Sequence, residues 1–577
     1  MNRKQRRATA KQGPAAPRHA PSAMTDPAAQ LLAAGLRHEQ QRQFADAAAT
    51  YQRLLALQPS HAEAANNLGR VLQAQGKTRE AAAAYAQALR LMPQLLEHYA
   101  GAFGALVALQ PALSEALRAA AASWPRRLDI EALFAADTFA AFARDPLLHC
   151  LLEATPVRDF AFERLLTMLR AALLARASAD SASDDDTLAF AAALARQCFI
   201  NEYIFVTAPD EDAQVAALKA RAPADLSPLQ VAVLAMYVPL AGLDQADALL
   251  AQTWPAPVDA LVTQQIREPA AERALRETIP KLTDIEDATS ARVRAQYEEN
   301  PYPRWVYPAG QVTPVSVDDY LRAQFPGVAF VTTGKSEDLD ILVAGCGTGW
   351  HATSVAQTFL GARLLAVDLS LSSLAYAKRG TPARIADRIE YAQADILKLG
   401  TLSRRFDVVE VSGVLHHMAD LFEGWRILLP LLRPNGLMHV GLYSETARRD
   451  VVAARAFIAD GGYQATPDDI RRCRQDLMAT PLRTLTRFSD FYTTSECRDL
   501  LFHTQETRVT IPQIKRFLAE NGLRFLGFEF DLRMQQRLRA LFAEQGASPT
   551  DLDRWHALEE AEPDLFSGMY QFWVQRR

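Results

Sequence analysis

Three glycines at alternate positions, Gly345, Gly347 and Gly349, directly follow the apolar run Ile341-Leu342-Val343-Ala344. The run is that of a buried strand. Glycines at its end let a backbone without Cβ atoms turn sharply and come close to a ligand. Residues 352–360 then fit a helix. Strand, glycine turn and helix make the nucleotide-binding corner of a doubly wound α/β domain. The dinucleotide pattern G-x-G-x-x-G would need its third glycine at position 350, where this chain has Trp350. Two acids follow in register, Asp368 closing the apolar run 362–367 and Asp395 closing the run 389–394. Each offers two acceptor oxygens to a bound molecule. His416 and His417, leaving a fourth run at 406–412, are the titratable pair nearest that corner. A histidine so placed can act as a general base, or it can stack on a ring and pack in the core.

Those residues need a framework. A helix end at 428–432 and the turn Arg433-Pro434-Asn435-Gly436 lead into a fifth strand at 437–443. Five strands alternating with helices imply a parallel sheet, which gathers ligands at its carboxyl ends. Ahead of the first strand, within 286–335, Tyr297-Glu298-Glu299-Asn300-Pro301-Tyr302-Pro303-Arg304-Trp305 forms a stiff strap, because its prolines forbid helix. Tyr297 and Trp305 either face a cation or substrate, which an aromatic face favours, or dock the strap by apolar burial. After the fifth strand an insertion of about 445–508 makes a lid or substrate wall. Its segment 488–494 places Tyr492 either in a pocket for the acceptor or in the lid's anchor. Thr510 and Gln513 then fit a capping box at a helix start.

A chain of 577 residues is long for one core and divides into several units. Residues 1–25 are a basic, Ala- and Pro-rich tail, expected to be disordered. Over 26–127, Gly35, Ala47, Tyr51 and Pro59 recur as Gly69, Ala81, Tyr85 and Pro93, a shift of 34 residues. That is the tetratricopeptide period: small residues let paired helices approach, tyrosines fill the gap and prolines end the second helix. A degenerate third pair fits 95–124. Such a solenoid presents a concave surface to a protein or peptide, or to a second copy. Residues 128–285 are Ala- and Leu-rich helices, with Ser181-Ala182-Ser183-Asp184-Asp185-Asp186 as a solvated loop.

Composition excludes several classes. A net charge of −5 gives no reason to expect nucleic acid. Five cysteines with no C-x-x-C pair argue against a disulfide framework or a zinc site and fit a reducing cytoplasm. No metal ligand set is apparent from spacing. No apolar run reaches the roughly 18 uncharged residues of a transmembrane helix.

The G-x-G-x-G loop with its acids resembles the first motifs of class I S-adenosylmethionine-dependent methyltransferases. The repeats, the Tyr297–Trp305 strap and the segment 491–503 resemble proteins that join tetratricopeptide repeats to such a domain. The resemblance implies a multidomain chain: a helical repeat solenoid, a helical middle region and, over 336–577, a Rossmann-like domain. Late strands at 525–531 and 568–574 would complete its seven-stranded sheet. It implies S-adenosylmethionine as cofactor, held by Gly345, Cys346, Gly347, Gly349, Asp368, Leu369, Asp395, Ile396 and Tyr297. Asp368 would take the ribose hydroxyls and Asp395 the adenine amino group. Trp305, Tyr443 and Tyr492 would face the substrate, and His416 or His417 would supply the base. Asn/Asp-Pro-Pro-Tyr/Phe, the motif of adenine and glutamine N-methyltransferases, is missing after the fourth strand, where Ser412-Gly413-Val414-Leu415 stands. Small-molecule and protein acceptors remain. Two other classes stay open: a repeat-based binding protein whose cofactor domain is regulatory or inactive, and an NAD(P)-dependent oxidoreductase.

Overall fold

The computed structural model describes residues 27–92, 96–134, 136–181, 183–308, 310 and 312–577. The basic tail and Pro93 lie outside the described residues. Helices Pro27–Gln40, Phe44–Leu57, Ala62–Ala74 and Thr78–Leu91 stack as two antiparallel pairs. Leu96–Leu109 packs on the second pair, and Pro111–Ala122 turns away from that helix by 109°, so the expected third pair is not a regular repeat. The repeated residues explain the stacking. Tyr51 lies on Gly35, where a Cβ would come within 2.4 Å of the ring, and Tyr85 lies between Gly69 and Gly101 in the same way. Glu39 ties the two pairs together by accepting from Arg70 at 2.5 Å.

The repeats do not end in a free face. Thr78–Leu91 packs against Pro146–Ala154, and Pro111–Ala122 packs against Phe160–Ser178. One apolar core runs from the repeats through the middle helices. Asp184 in the acidic run caps Asp185–Ile200 by accepting from the Thr187 amide at 2.7 Å. Asp185 and Asp186 fill that helix's first turn, where the helix dipole favours negative charge.

The second half is built on one seven-stranded sheet: β1 (Leu339–Ala344), β2 (Ala362–Asp368), β3 (Ile389–Gln393), β4 (Phe406–Ser412), β5 (Leu432–Leu442), β6 (Leu523–Phe528) and β7 (Tyr570–Arg576). Their order is β3-β2-β1-β4-β5-β7-β6, with β7 antiparallel to both neighbours. β6 begins two residues and ends three residues before its expected span, and β7 lies two residues after its own. The order reverses between β1 and β4, and ligands of open α/β sheets bind at such a point. Ile341, Leu342, Val343 and Val409 are fully or almost fully buried, as strands covered on both faces require. Gln513 accepts from the Thr510 amide at 2.8 Å and closes the capping box.

The insertion leaves and rejoins the sheet at one place, where Ser444 bridges Val509. Between those points its helices Arg449–Gly461, Pro467–Met478 and Thr494–Phe502 join the core of the N-terminal helices rather than that of the sheet. Arg474 donates to Glu163 at 2.8 and 3.1 Å, with both side chains buried. Asn201 and Glu202 of the helical region are the receiving edge. The Thr494 amide donates to the Asn201 carbonyl at 3.2 Å, and the Ser495 amide donates to the Glu202 carboxylate at 2.6 Å.

Candidate active site

A cavity of about 280 Å³ opens at the carboxyl ends of β1, β2 and β4. Its first wall is the glycine loop. Gly345, Gly347 and Gly349 have φ of +80°, +51° and +83°, a region that side-chain-bearing residues rarely adopt. Gly345 and Gly347 line the cavity, whereas Gly349, expected there, packs on Ala377. At Gly347 there is also no room, since a Cβ would lie 2.8 Å from the Tyr302 carbonyl oxygen. Asp368 fixes the loop from below, accepting from the Gly347 amide at 2.8 Å and the Ser370 amide at 2.9 Å. Burial pushes its carboxyl up, against the pull of those amides. Asp395 is 1% exposed. One of its oxygens accepts from the Leu397 amide at 2.9 Å, and the other, Oδ2, has no protein donor. Cys346, Leu369 and Ile396 complete this wall, and burial pushes the Cys346 thiol well up.

Further lining comes from the loop after β4 and from the strap, whose Tyr297 lies in the helix Ala288–Glu299 although the strap was expected to be non-helical. Tyr297 and Tyr302 stack with ring centres 6.3 Å apart and both line the cavity. The Tyr297 hydroxyl donates to Asp499 of the insertion at 2.6 Å. Thr348 of the glycine loop donates to the Pro303 carbonyl, and Trp305 Nε1 donates to the Thr348 carbonyl at 3.0 Å. The strap is thereby bonded to the loop it covers.

His417 lines the cavity and His416 does not. His417 Nδ1 lies 2.9 Å from the Gln505 carbonyl, which only accepts, so Nδ1 carries the hydrogen. In the neutral ring that leaves Nε2 with the lone pair. His503 stacks on His417 at 3.7 Å. Burial and His417 push the His503 pKa down to about 2, so that ring stays neutral. His416 is fully buried, stacks on Tyr443 at 3.7 Å and has no partner for either nitrogen. Burial holds its pKa well below the ordinary value. Its place is in the packing, not at the reacting centre.

Three expected substrate residues lie elsewhere. Tyr443 is covered by His416 on one side and by the Arg448 guanidinium, 3.6 Å from its ring centre. Trp305 is wedged against Gly380, where a Cβ would come within 2.2 Å of the indole. Tyr492 is 3% exposed and donates to the Thr486 carbonyl at 2.8 Å inside the insertion's packing. None of the three lines the cavity, because each aromatic ring is spent on joining elements. The sequence reading missed Tyr302, His351, Ser412 and Met569 as lining residues, and Asp499 and His503 behind them. Asp499 and His503 belong to the segment 491–503 singled out for its resemblance. That signal was present but pointed to the wrong end of the segment.

A family model described as a methyltransferase domain matches residues 342–440, and one described as a tetratricopeptide repeat matches residues 32–95. The chain joins tetratricopeptide repeats to a methyltransferase domain. An uncharacterized protein of Synechococcus sp. is 29% identical to this chain over 291 residues, 48% of this chain and 67% of that one. A ubiquinone biosynthesis O-methyltransferase of Azorhizobium caulinodans is 26% identical over 158 residues, 26% of this chain and 61% of its own. The structure of PKMT2 from Rickettsia typhi aligns with a TM-score of 0.35 at 18% identity, covering 45% of this chain and 53% of that one. The chain thus spans less than two thirds of the latter two. Its catalytic domain is of the S-adenosylmethionine-dependent class, which sets the oxidoreductase alternative aside. The first wall fits that cofactor: a loop a Cβ would fill, a carboxylate held by backbone amides, and the orphaned, buried Asp395 Oδ2 awaiting a donor.

Proposed function

We propose that this protein transfers a methyl group to a nucleophilic atom of a protein or small-molecule acceptor, with His417 as general base. When bound, S-adenosylmethionine supplies a carbon already activated by its sulfonium. The chain's own part is alignment, proton removal and exclusion of water. Asp368 would hold the ribose hydroxyls, and Asp395 Oδ2 would accept from the adenine amino group. Gly347 would let the loop backbone approach the methionine moiety under Tyr302. Tyr297, pinned to Asp499, would close the acceptor side. His417 Nε2 would take the acceptor's proton, its ring held by the bond from Nδ1 to Gln505.

The observation that carries this reading is a single cavity lined both by the glycine loop and by His417, whose Nδ1 is bonded to the Gln505 carbonyl. The repeats would recruit a macromolecular acceptor or partner, a role their concave stacking suits. All five cysteines are free and buried, which favours a reducing compartment such as the cytoplasm. Among the described residues no single helix is long and apolar enough to cross a membrane. The test is transfer of label from methyl-labelled S-adenosylmethionine into fractions of a lysate lacking the protein. His417→Asn should lower turnover by about 10²–10⁴-fold while cofactor affinity holds. Loss of cofactor affinity without loss of turnover at saturating cofactor would remove His417 from the reaction.

A further inference from the structure

A second cluster converges beside the cavity from three elements. His351 lies in the first turn of Trp350–Thr358, Glu410 in β4 and His439 in β5. Glu410 Oε2 is 3.2 Å from His351 Nε2 and 2.7 Å from His439 Nδ1, and all three donor atoms lie within 4.8 Å of one another. Glu410 and His439 are buried, at 1% and 6% exposure. The His351 side chain is 38% exposed and lines the cavity.

From this arrangement we infer that His351, Glu410 and His439 form a site for one divalent transition-metal ion of zinc's type, with an open coordination position facing the cavity. Two imidazole nitrogens and one carboxylate oxygen are a ligand set of open zinc sites. Tetrahedral ligands about 2.1 Å from an ion stand roughly 3.4 Å apart, so binding would spread the 2.7 Å separation by about 0.7 Å and the 3.2 Å separation by less. The strongest support is the layer behind the ligands. The far nitrogen of His439, Nε2, lacks a hydrogen-bond partner and faces Glu529 Oε2 at 3.5 Å. Glu529 is itself fixed, accepting from Tyr320 at 2.5 Å and from Trp573 Nε1 at 2.9 Å. A carboxylate on the outer nitrogen of a histidine is how metal-bound imidazoles are oriented. Glu410 and Glu529 together would balance the charge of a dication.

A comparable cluster, His417, Asp499 and His503, does not have this geometry. Its imidazoles stack with planes 22° apart at 3.7 Å, so one ion cannot lie in both ring planes. Asp499 Oδ1 is already occupied by Tyr297. In the first cluster the imidazoles are unstacked, with ring centres 6.1 Å apart, and Glu410 Oε2 meets the two histidines themselves.

The experiment uses the full chain without an affinity tag, stripped by chelator and titrated with Co²⁺ as a spectroscopic stand-in for Zn²⁺. We expect one equivalent to give visible absorption bands that Zn²⁺ abolishes. His351→Ala, on the exposed edge and confirmed folded by its melting curve, should weaken Co²⁺ binding at least tenfold. Glu529→Gln, outside the coordination sphere, should weaken it about 10–100-fold. Absence of bands at millimolar Co²⁺, or equal binding by the native chain and His351→Ala, would reduce the cluster to a hydrogen-bonded relay and overturn the proposal. Because the readout is the metal spectrum, failure here leaves the methyltransferase reading untouched.

Discussion

The two walls of the cavity are held by different forces. The cofactor wall runs from Gly345 to Leu397, and its shape is set by backbone: left-handed glycines, amides on Asp368 and strand register. The acceptor wall gathers the strap, the loop after β4 and the insertion, and its shape is set by side chains meeting across the chain. Tyr297 reaches Asp499, and behind it Arg474 reaches Glu163. A wall made of backbone changes only where a glycine or acid is lost. A wall made of distant side chains changes when any anchor behind it gives way.

The largest expected effect breaks the second wall from behind. Arg474→Ala would strand Glu163, buried and unpaired, and remove the guanidinium that lies 4.6 Å from the Phe491 ring centre. Breaking one partner of a buried pair costs about 3–5 kcal/mol. Denaturant melts should show that loss, and acceptor turnover should fall, while calorimetry on the folded fraction finds cofactor affinity nearly intact. Equal loss of cofactor affinity would mean the walls are not separable. Gly347→Val makes the opposite cut. A valine must hold the strained φ of +51° and meet the Tyr302 carbonyl. Strain of about 1–3 kcal/mol at this loop should cost cofactor affinity tenfold or more in calorimetry, with a smaller change in melting. Unchanged affinity would take the glycine loop out of cofactor binding.

The same contrast governs how much was legible in the sequence. The cofactor wall shows itself within a stretch of about fifty residues, because strand period, glycine spacing and the terminal acids are local signals. The tetratricopeptide shift is local too, and Gly35 and Tyr51 meet as their types require. The acceptor wall was legible as a set of segments but not as contacts. Tyr492, Trp305 and Tyr443 carry the residue types of a pocket and serve as joints, since an aromatic ring buries area equally well in either place. His351, Glu410 and His439 stand far apart in sequence, and only the parallel order of β1, β4 and β5 brings them together. His416 and His417 are neighbours of one type. What separates them is a carbonyl from Gln505, at the far end of the insertion.

The smallest expected effect sharpens the comparison where the insertion meets the helical region. Glu496 is buried and its Oε2 has no partner. Burial, aided by the nearby Asp490 carboxylate, pushes its pKa up to about 8. The unfolded chain would titrate near 4.3, so between those values the folded state binds more protons than the unfolded one. Stability is therefore full below about pH 4.3 as far as this group is concerned, and is lost as pH rises through 8. Glu496→Gln keeps the shape and cannot ionise. It should match the native chain at pH 4.5, exceed it in stability at pH 8.5, and flatten the slope between. The backbone-held wall has its own buried acid, Asp395. Asp395 lines the cavity and its Oδ2 has no protein donor, so Asp395→Asn should move cofactor affinity and leave that slope in place. An unaltered slope in Glu496→Gln would show that the insertion's seam does not carry the strain its orphaned oxygen implies.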